Sequence, residues 1–494
     1  MIRFTTSQPA FFNDMADVIR LFFGMGKIAA DAPDAELAVD HRFEERQGQW
    51  VERCELTRPG QAPIAREMVF DAVQSADSLL VERLKKRYAK LCLYVLLKQD
   101  QGFSPPWGSL TGIRPTKLAR QLIDEMGQSS LPAVVEALRT VFDVSEPKAR
   151  LVGDILQAQQ GIHTWGDQAH YDVYIGIPFC RTRCLYCSFF SADMRKPKLA
   201  HAYVEALLRE IAAFGALMSE LGRSCRAIYV GGGTPVAIPT EQLRRVLEEA
   251  QRAFPGAAEF TVEAGRPDSV TAETMAMLKA MGVGRVSINP QTMNARTLRA
   301  IGRDHTPEDV LEAYAMARAA GLSQINMDLI AGLPGETASD MAATLAALAG
   351  LDMDNLTVHT LAIKHSSRLN ERLADFPLPD DAEAARMVEL AHAFAAGRGM
   401  EPYYMYRQKY MAGNLENVGY ALPGTACVYN IDMMEETHDI IALGAGAVSK
   451  RMFYEQTRHE RFPNPKSIEY YISKIDEIIG RKAAFFRPAP DFTR

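Results

Sequence analysis

The sequence predicts an α/β fold in which a parallel sheet is covered by helices. From about residue 170 onward, apolar strand-like runs, glycine turns and helical patterns alternate six times. Runs that are apolar along their whole length are typical of parallel strands buried on both faces. The unusual residue clusters of this half all follow such runs, at the strand ends where ligands gather in parallel α/β folds.

The six predicted strands are short and are bounded by glycine or polar residues. They are YDVYIGIP, RAIYVGG, AEFTVEA, GRVSINP, SQINMDLI and NLTVHTLAI. Helical patterns separate them, among them LAHAYVEALLREIAAFGALMSELG, PTEQLRRVLEEAQRAF and TPEDVLEAYAMARAAG. Apolar residues recur in these patterns at helical spacing, as expected of helices that pack on a sheet.

Residues on either side of this region predict two further domains. Residues 1–165 form an α+β unit, because HRFEERQGQWVERCEL alternates like strands and SADSLLVERLKKRYAKLCLYVLLKQD is a long helical pattern. Pro115 is predicted in the first turn of another helix. The last part opens with the helical pattern DDAEAARMVELAHAFAAGRG. We therefore expect an accessory domain at 1–165, the parallel-sheet core at 166–375 and a smaller C-terminal domain at 376–494.

Composition indicates a globular chain without a case for nucleic-acid binding. The 494 residues carry a formal net charge of −6. No apolar run approaches the roughly 18 residues of a membrane-spanning helix, and the N-terminus lacks the pattern of a signal peptide. The expected location is the cytoplasm, where thiols stay reduced and clustered cysteines favour metal or redox chemistry over disulfides.

Three of the seven cysteines lie within eight residues, at Cys180, Cys184 and Cys187. The polar RTR between them argues against a buried helix face. A structural zinc site normally has four ligands, and no further Cys or His follows at finger-like spacing. An iron–sulfur cluster held by three thiolates would leave one iron open to a ligand. We rank this open cluster first and zinc second, with a distant fourth ligand such as Cys427 remaining an alternative.

Other motifs at the predicted strand ends carry polar or glycine residues. Glycines in GGGTP, at 231–235, let the main chain approach a ligand closely, although an ordinary strand-to-helix turn explains them equally well. Glu263 ends the run FTVEA, and Asp328 lies inside INMDLIAG, where an unpaired charge would be costly.

The cysteine motif CRTRCLYC resembles the signature of the radical S-adenosylmethionine (SAM) enzymes. The longer YIGIPFCRTRCLYCSFF resembles the oxygen-independent coproporphyrinogen III dehydrogenase (oxidase) family and its heme-chaperone relatives. The resemblance extends through YVGGGTP, FTVEAGRPD, VSINPQTMN, IGRDH and INMDLIAGLPGE. WGSLTGIRPTKLA, YYMYRQKYMAGNLENVGYA and ALGAGAVSK are similar to the HemZ-like branch, so the resemblance covers nearly the whole chain.

This resemblance implies a partial (β/α)6 radical SAM barrel, a [4Fe–4S] cluster and SAM, with one or two SAM molecules bound. The cluster ligands would be Cys180, Cys184 and Cys187. Further positions match family contacts to SAM or to a polar site that can hold a second SAM. They are Tyr174, Tyr186, Gly232, Gly233, Thr234, Glu263, Gln291, Arg303, Asp328 and Ala362.

The implied reaction is the oxidative decarboxylation of two propionates of coproporphyrinogen III to vinyl groups, giving protoporphyrinogen IX. In the family, a 5′-deoxyadenosyl radical made from SAM abstracts a hydrogen from each propionate. Arg114, Lys117, Arg407 and Lys409 are candidates for binding the substrate carboxylates. An electron donor such as flavodoxin or ferredoxin is implied, and Lys85, Lys86 and Arg87 are a candidate docking surface for it, with a solvated helix face as the alternative.

The sequence departs from the family at two places. Well-characterised dehydrogenases of the family carry a further cysteine two residues past the third ligand. This chain has Phe189 at that position, and the heme chaperones also lack the cysteine. The chaperones carry a His-Asn-x-x-Tyr-Trp motif, where this chain reads CVYNIDMM. A heme-binding chaperone and a related radical SAM methyltransferase are therefore the alternative functions.

Overall fold

The computed structural model describes residues 1–487 apart from 25, 76, 128–129, 190, 194–196, 365, 409–410 and 457. The chain divides into two compact units, Met1–Gly153 and Asp154–Arg494. The three-domain division expected from sequence stays a prediction. Each unit has its own sheet, so each is described separately.

The first unit contains a five-stranded sheet. Its strands are β1 (Ile2–Thr6), β2 (Ile28–Ala29), β3 (Leu37–Arg46), β4 (Gln49–Thr57) and β5 (Ile64–Asp71). Their order is β2-β1-β3-β4-β5, with the pairs of β1 parallel and the others antiparallel. The β3–β4 hairpin turns at Gln47 and Gly48, both with positive φ, which suits the twist of a two-residue hairpin loop.

Helices cover this first sheet and continue the unit. They are α1 (Phe12–Phe23), α2 (Ser78–Gln101), α3 (Pro115–Glu125), α4 (Leu131–Thr140) and α5 (Glu146–Ala158), the last of which runs into the second unit. The predicted long helix corresponds to α2, and Pro115 lies in the first turn of α3. Apolar side chains of α1, α2, β1, β3 and β4 form one core. The α+β character of this region is therefore confirmed.

The second unit is built on an eleven-stranded sheet. Its first six long strands are β6 (His170–Ile177), β9 (Ser224–Gly232), β10 (Glu259–Gly265), β11 (Arg285–Ile288), β12 (Gln324–Ala331) and β13 (Asn355–Thr360). The short β7 (Phe179–Cys180) and β8 (Ala192–Asp193) pair with each other. The six long strands pair in chain order and all in parallel. They coincide with the six predicted strands, and the expected (β/α)6 arrangement is confirmed.

Helices follow most of these strands and form the outer layer. They are α6 (Pro197–Glu220), α7 (Thr240–Ala253), α8 (Ala272–Ala280), α9 (Ala295–Ala300), α10 (Pro307–Ala319), α11 (Ala338–Leu348), α12 (Arg368–Glu371) and α13 (Asp381–Gly397). Thr306 with Asp309, and Thr337 with Asp340, form capping boxes that satisfy backbone N–H groups at the starts of α10 and α11. Local polar residues thus fix where these helices begin.

Segments after residue 400 extend the same sheet at both edges. They contain β14 (Glu401–Tyr406), β15 (Asn417–Ala421), α14 (Val428–Glu435), β16 (Asp439–Leu443), β17 (Val448–Phe453), β18 (Arg458–Pro463), α15 (Ile468–Ser473) and α16 (Ile475–Phe486). β15 pairs antiparallel with β13, and β14 pairs with β15. At the other edge β16 lies parallel to β6. The strand that leads to the cysteines therefore has a neighbour on each side, β9 and β16.

A buried ion pair joins the last helix to α6. Glu210 and Lys482 are both fully buried, with 2.6 Å between their Oε1 and Nζ atoms. Glu210 also accepts hydrogen bonds from the Tyr471 hydroxyl (2.6 Å), the Gly444 N–H (2.7 Å) and the Asn464 amide (3.0 Å). This carboxylate is thus bonded to four groups from the C-terminal segments.

In the described part of the chain, no helix combines the length and hydropathy needed to cross a bilayer.

Replacing Glu210 by alanine should lower the free energy of unfolding by about 3–5 kcal/mol, because it leaves the buried Lys482 charge without its partner. Asp476→Ala is the matched control, since the exposed ion pair between Asp476 and Arg209 contributes at most about 1 kcal/mol to the free energy of unfolding. Urea unfolding followed by circular dichroism measures both variants. Equal losses in the two variants would contradict this account.

Candidate functional site

The predicted site residues gather at the C-terminal ends of the parallel strands of the second unit. Cys180 follows β6, Thr234 follows β9, Glu263 is on β10, Gln291 follows β11 and Asp328 is on β12. Because parallel strands end on the same edge of a sheet, residues far apart in sequence meet there.

The cysteine loop is held against the end of β9 by main-chain bonds. The N–H of Thr234 donates to Phe179 O (2.7 Å), and that of Gly233 donates to Ile177 O (2.9 Å). A Cβ on Gly233 would lie 2.5 Å from Phe179 O and 3.0 Å from Cys180 Sγ, closer than side chains can come. Gly232 has φ +113°, a conformation open to glycine. Glycine is therefore required here by the approach of the two segments.

The three thiols lie in protected surroundings. Cys184 is buried, and Cys180 and Cys187 are half-buried. Burial raises the pKa of Cys187 to about 11 and also raises that of Cys180. Thiols in this setting remain protonated until a metal or another positive charge binds, because the thiolate is the ligand form.

The donor set fits an iron–sulfur cluster. Thiolates hold such clusters, and in a four-iron cluster each thiolate binds its own iron, so three thiolates leave one iron open to another ligand. Cys427 is no fourth ligand: it is buried beside α14 and lies 3.2 Å from Glu259, at the opposite end of β10. The residues present therefore fit an iron–sulfur cluster held by three thiolates.

Arg266, which the sequence analysis did not single out, contacts this cysteine loop. It is buried at the end of β10, and its Nη1 lies 3.6 Å from Cys184 Sγ and 3.3 Å from Thr182 O. Asp268 holds the guanidinium with bonds of 3.0 and 2.9 Å. Thr234 Oγ1 makes a similar contact, 3.6 Å from Cys180 Sγ. The Phe189 N–H bonds to the Cys187 sulfur, so each of the three sulfurs has a hydrogen-bond donor beside it.

Arg303 lies on the other side of the loop. Its guanidinium contacts Tyr186 and Cys184, and its Nη1 donates to Asn289 O at 2.6 Å. The Nε has no hydrogen-bond partner although it is buried. An arginine with an unsatisfied buried N–H is suited to an anionic ligand such as a carboxylate.

Two arginines inside the motif bond to the main chain. Arg181 donates to Asp268 O, and Arg183 donates to Ser366 O at 2.8 Å. These bonds fix the loop conformation.

Glu263 lies on the inner face of the sheet and accepts a 2.7 Å hydrogen bond from the Tyr229 hydroxyl. Burial raises the pKa of Glu263 to about 7, with a further increase from Asp328, against the lowering effect of Tyr229 and the Gly232 N–H. A Cβ on Gly231 would lie 3.0 Å from this carboxylate. The group is thus poised to ionise when a donor or a cation binds beside it.

Asp328 and Gln291 form a second polar region near Glu263. Asp328 accepts from the Asn326 amide at 2.8 Å and lies 3.7 Å from His359 Nε2, so the charge inside this strand is paired. Gln291 has φ +67° and bonds through its main chain to Asp328 O (2.9 Å) and to the Ile330 N–H (3.0 Å). A non-glycine residue held in this conformation often marks a functional position.

Two predicted positions lie away from the cysteine loop. Tyr174 stacks with Tyr229 and Tyr429, with 6.3 Å between ring centroids in each pair, on the Glu263 side of the sheet. Ala362 follows β13 and bridges to Met411. Tyr174 is therefore next to Glu263, whereas Tyr186 is next to Arg303.

The candidate substrate cations have varied surroundings. Arg407 is buried and donates to Asn414 O at 3.1 Å, and burial lowers its pKa to about 10. Arg114 and Lys117 belong to the first unit, and Lys409 lies outside the described residues.

The basic stretch of α2 is satisfied within the first unit. Lys85 lies over the Phe43 and Trp50 rings, Lys86 pairs with Asp14 at 3.1 Å, and Arg87 pairs with Glu125 at 2.8 Å. These contacts favour the alternative of a structural helix face over a docking surface for an electron carrier.

Sequence comparisons cover the part of the chain that contains most of these residues. The sequence-family model of the radical SAM superfamily matches residues 174–348. The chain is 38% identical over 396 residues to the oxygen-independent coproporphyrinogen-III oxidase-like protein HemZ of Bacillus subtilis, covering 79% of each. It is 29% identical to the heme chaperone HemW of Escherichia coli, covering 58% of this chain and 74% of that protein.

A solved structure shares the fold. The coproporphyrinogen III oxidase HemN of Escherichia coli, described as a radical SAM enzyme, superposes with a TM-score of 0.52 at 25% identity, over 68% of this chain and 73% of that one. The chain is therefore a radical SAM protein with a [4Fe–4S] cluster and SAM as cofactors, and it belongs to the family of oxygen-independent coproporphyrinogen-III oxidase-like proteins.

Proposed function

We propose that the protein is a cytoplasmic coproporphyrinogen III dehydrogenase that converts two propionates to vinyl groups. The relation to the HemZ protein over 79% of the chain carries the proposal. It is supported by three cysteines in one loop, with polar groups suited to SAM at the ends of the neighbouring strands. Each ionised propionate would lose one hydrogen atom, CO2 and one electron, and an electron acceptor would take up the electron. The product after two rounds is protoporphyrinogen IX.

When bound, the cluster and SAM supply the hydrogen-abstracting radical of this family. Cys180, Cys184 and Cys187 hold the cluster as thiolates. The Thr234 hydroxyl and the Arg266 guanidinium donate towards two of the sulfurs, and such bonds tune the reduction potential of iron–sulfur clusters.

Other residues of the chain would bind SAM and the substrate and orient them. Glu263 accepts a hydrogen bond from a donor group of SAM, with Tyr229 fixing the orientation of the carboxylate. Arg303, Gln291 and Asp328 form the polar region that takes a second SAM or part of the substrate. Holding the reacting carbon close to the radical and away from water is the main task of the protein part.

A heme chaperone of the same family is the second candidate. Phe189 occupies the position where dehydrogenases of the family have their additional cysteine, and it is 68% exposed next to the ligand loop. HemW relatives also match more than half of the chain.

An anaerobic assay separates the candidates. We expect the cluster-loaded protein with SAM, a strong reductant and coproporphyrinogen III to form 5′-deoxyadenosine and a tetrapyrrole lighter by two CO2 and four hydrogen atoms, as followed by chromatography and mass spectrometry. Cys184→Ala should abolish both products, whereas Cys225→Ala, which changes a buried cysteine outside the site, should retain them. Stoichiometric heme binding without formation of deoxyadenosine would indicate the chaperone. Formation of S-adenosylhomocysteine would indicate a methyltransferase.

Gly233→Ala should lose most of its cluster, because the added methyl group would push Phe179 and Cys180 out of position. Gly350→Ala is the matched control, since a Cβ there meets no atom within 4 Å. Iron and sulfide content after identical reconstitution measures the effect. Full iron occupancy in Gly233→Ala would contradict the close approach that we describe.

SAM binding should depend on pH through Glu263. Only the ionised carboxylate accepts a hydrogen bond on both oxygens, so with a pKa of about 7 the affinity should rise about tenfold between pH 6 and pH 8. Equilibrium dialysis of SAM with the cluster-loaded protein measures this profile. Glu263→Gln should bind more weakly and show a flat profile, and a retained tenfold rise would assign the dependence to another group.

A further inference from the structure

Three buried side chains meet at the opposite end of the sheet from the cysteines. Asp172 lies near the start of β6, Asp432 is on α14, and His438 immediately precedes β16. All three are completely buried. Asp172 therefore meets two residues from a single segment, 260 or more positions later in the chain, in the interior of the second unit.

The geometry of this group suits one metal ion. One ligand atom from each residue lies within 4.8 Å of the other two. His438 Nδ1 and Asp432 Oδ1 are 3.4 Å apart. That separation matches the edge of a tetrahedron with metal–ligand bonds of about 2.1 Å, as zinc forms with nitrogen and carboxylate oxygen.

Asp172 supplies an independent indication of a missing partner. Both of its carboxylate oxygens are buried and neither accepts a hydrogen bond from a donor group of the described residues; the side chain that it meets is the carboxyl of Asp432. A buried carboxylate without a partner is costly, and such groups are normally paired or bound to a metal. Burial and the adjacent Asp432 raise the pKa of Asp172 well above its ordinary value.

The far side of the His438 ring is arranged as in many metal sites. Its Nε2 is 3.3 Å from Thr164 Oγ1 and 3.8 Å from Asp167 Oδ2. A ligating histidine commonly directs its second nitrogen to such a hydroxyl or carboxylate, which fixes the ring orientation. Nδ1 faces the Thr437 hydroxyl at 3.0 Å and Asp432 Oδ1 at 3.4 Å, and the Thr437 hydroxyl donates to the same Asp432 oxygen at 2.6 Å.

The local charge is unbalanced. Arg226 Nε pairs with Asp432 Oδ2 at 3.2 Å, and the other Arg226 nitrogens bond to Thr164 and to Ile162 O. Asp167 is hydrogen-bonded to His170 Nδ1 at 2.7 Å. With Asp172 and Asp432 ionised, Arg226 offsets one of two negative charges, and a cation bound between the two carboxylates would balance the other.

We propose that Asp172, Asp432 and His438 bind one divalent transition-metal ion, of the class represented by Zn²⁺. The ion connects α14 and the start of β16 to β6. Because it lies at the opposite strand ends from the cysteine loop, its role is to stabilise the sheet and it takes no part in the radical reaction.

The test uses the full chain with its cluster loaded, so that the cysteines do not take up the probe. After washing with chelator, the protein is titrated with Zn²⁺, and zinc and iron per chain are measured by mass spectrometry together with the melting temperature. We expect one zinc per chain and a zinc-dependent rise in melting temperature. Binding of less than a tenth of a zinc per chain would overturn the proposal and leave Asp172 as a protonated partner of Asp432.

Variants assign the bound ion to this site. Asp172→Asn and His438→Gln should each lose the zinc and its thermal effect, whereas His392→Gln, on an exposed face of α13, should keep both. Asp172→Asn removes a buried charge and so should fold at least as well as the chelator-treated parent. A variant with all three of Cys180, Cys184 and Cys187 changed to alanine should still bind one zinc. Zinc that is lost with the cysteines and retained in Asp172→Asn would overturn the assignment.

Discussion

The approach of the Gly232–Gly233–Thr234 turn to the Phe179–Cys180 segment is the constraint on which the rest of the site depends. The distance between these main chains leaves no space for a side chain at residue 233. It lets the end of β9 bond to the loop after β6, and it places the Thr234 hydroxyl beside a cysteine sulfur. The cysteines are positioned by a neighbouring strand as well as by their own loop.

From this contact the site continues across the sheet in strand order. Arg266 at the end of β10 reaches the second cysteine, and Arg303, beyond β11, meets it from the other side. Glu263, Gln291 and Asp328 extend the polar surface towards β12. The parallel sheet thus carries the cysteine loop and the polar residues Glu263, Gln291 and Asp328 at the ends of neighbouring strands.

The sequence predicted the six strands because each is a short apolar run with a turn residue behind it, a signal that depends on local burial alone. It predicted the cysteine loop and the glycine turn for a similar reason, since both are contiguous motifs. Arg266 was missed because its motif does not show that the side chain turns back to Cys184. Asp172, Asp432 and His438 were missed because no sequence pattern relates Asp172 on β6 to the segment that contains Asp432 and His438, about 260 residues later.

The sequence also did not show that residues 439–443 pair beside β6, because pairing between distant parallel strands leaves no local pattern. This pairing has a consequence for the order of events during synthesis. The strand that leads to the cysteines is made well before its second neighbour, β16. Until residues 439–443 are made, one edge of β6 stays unpaired, and an unpaired strand edge can pair with other chains.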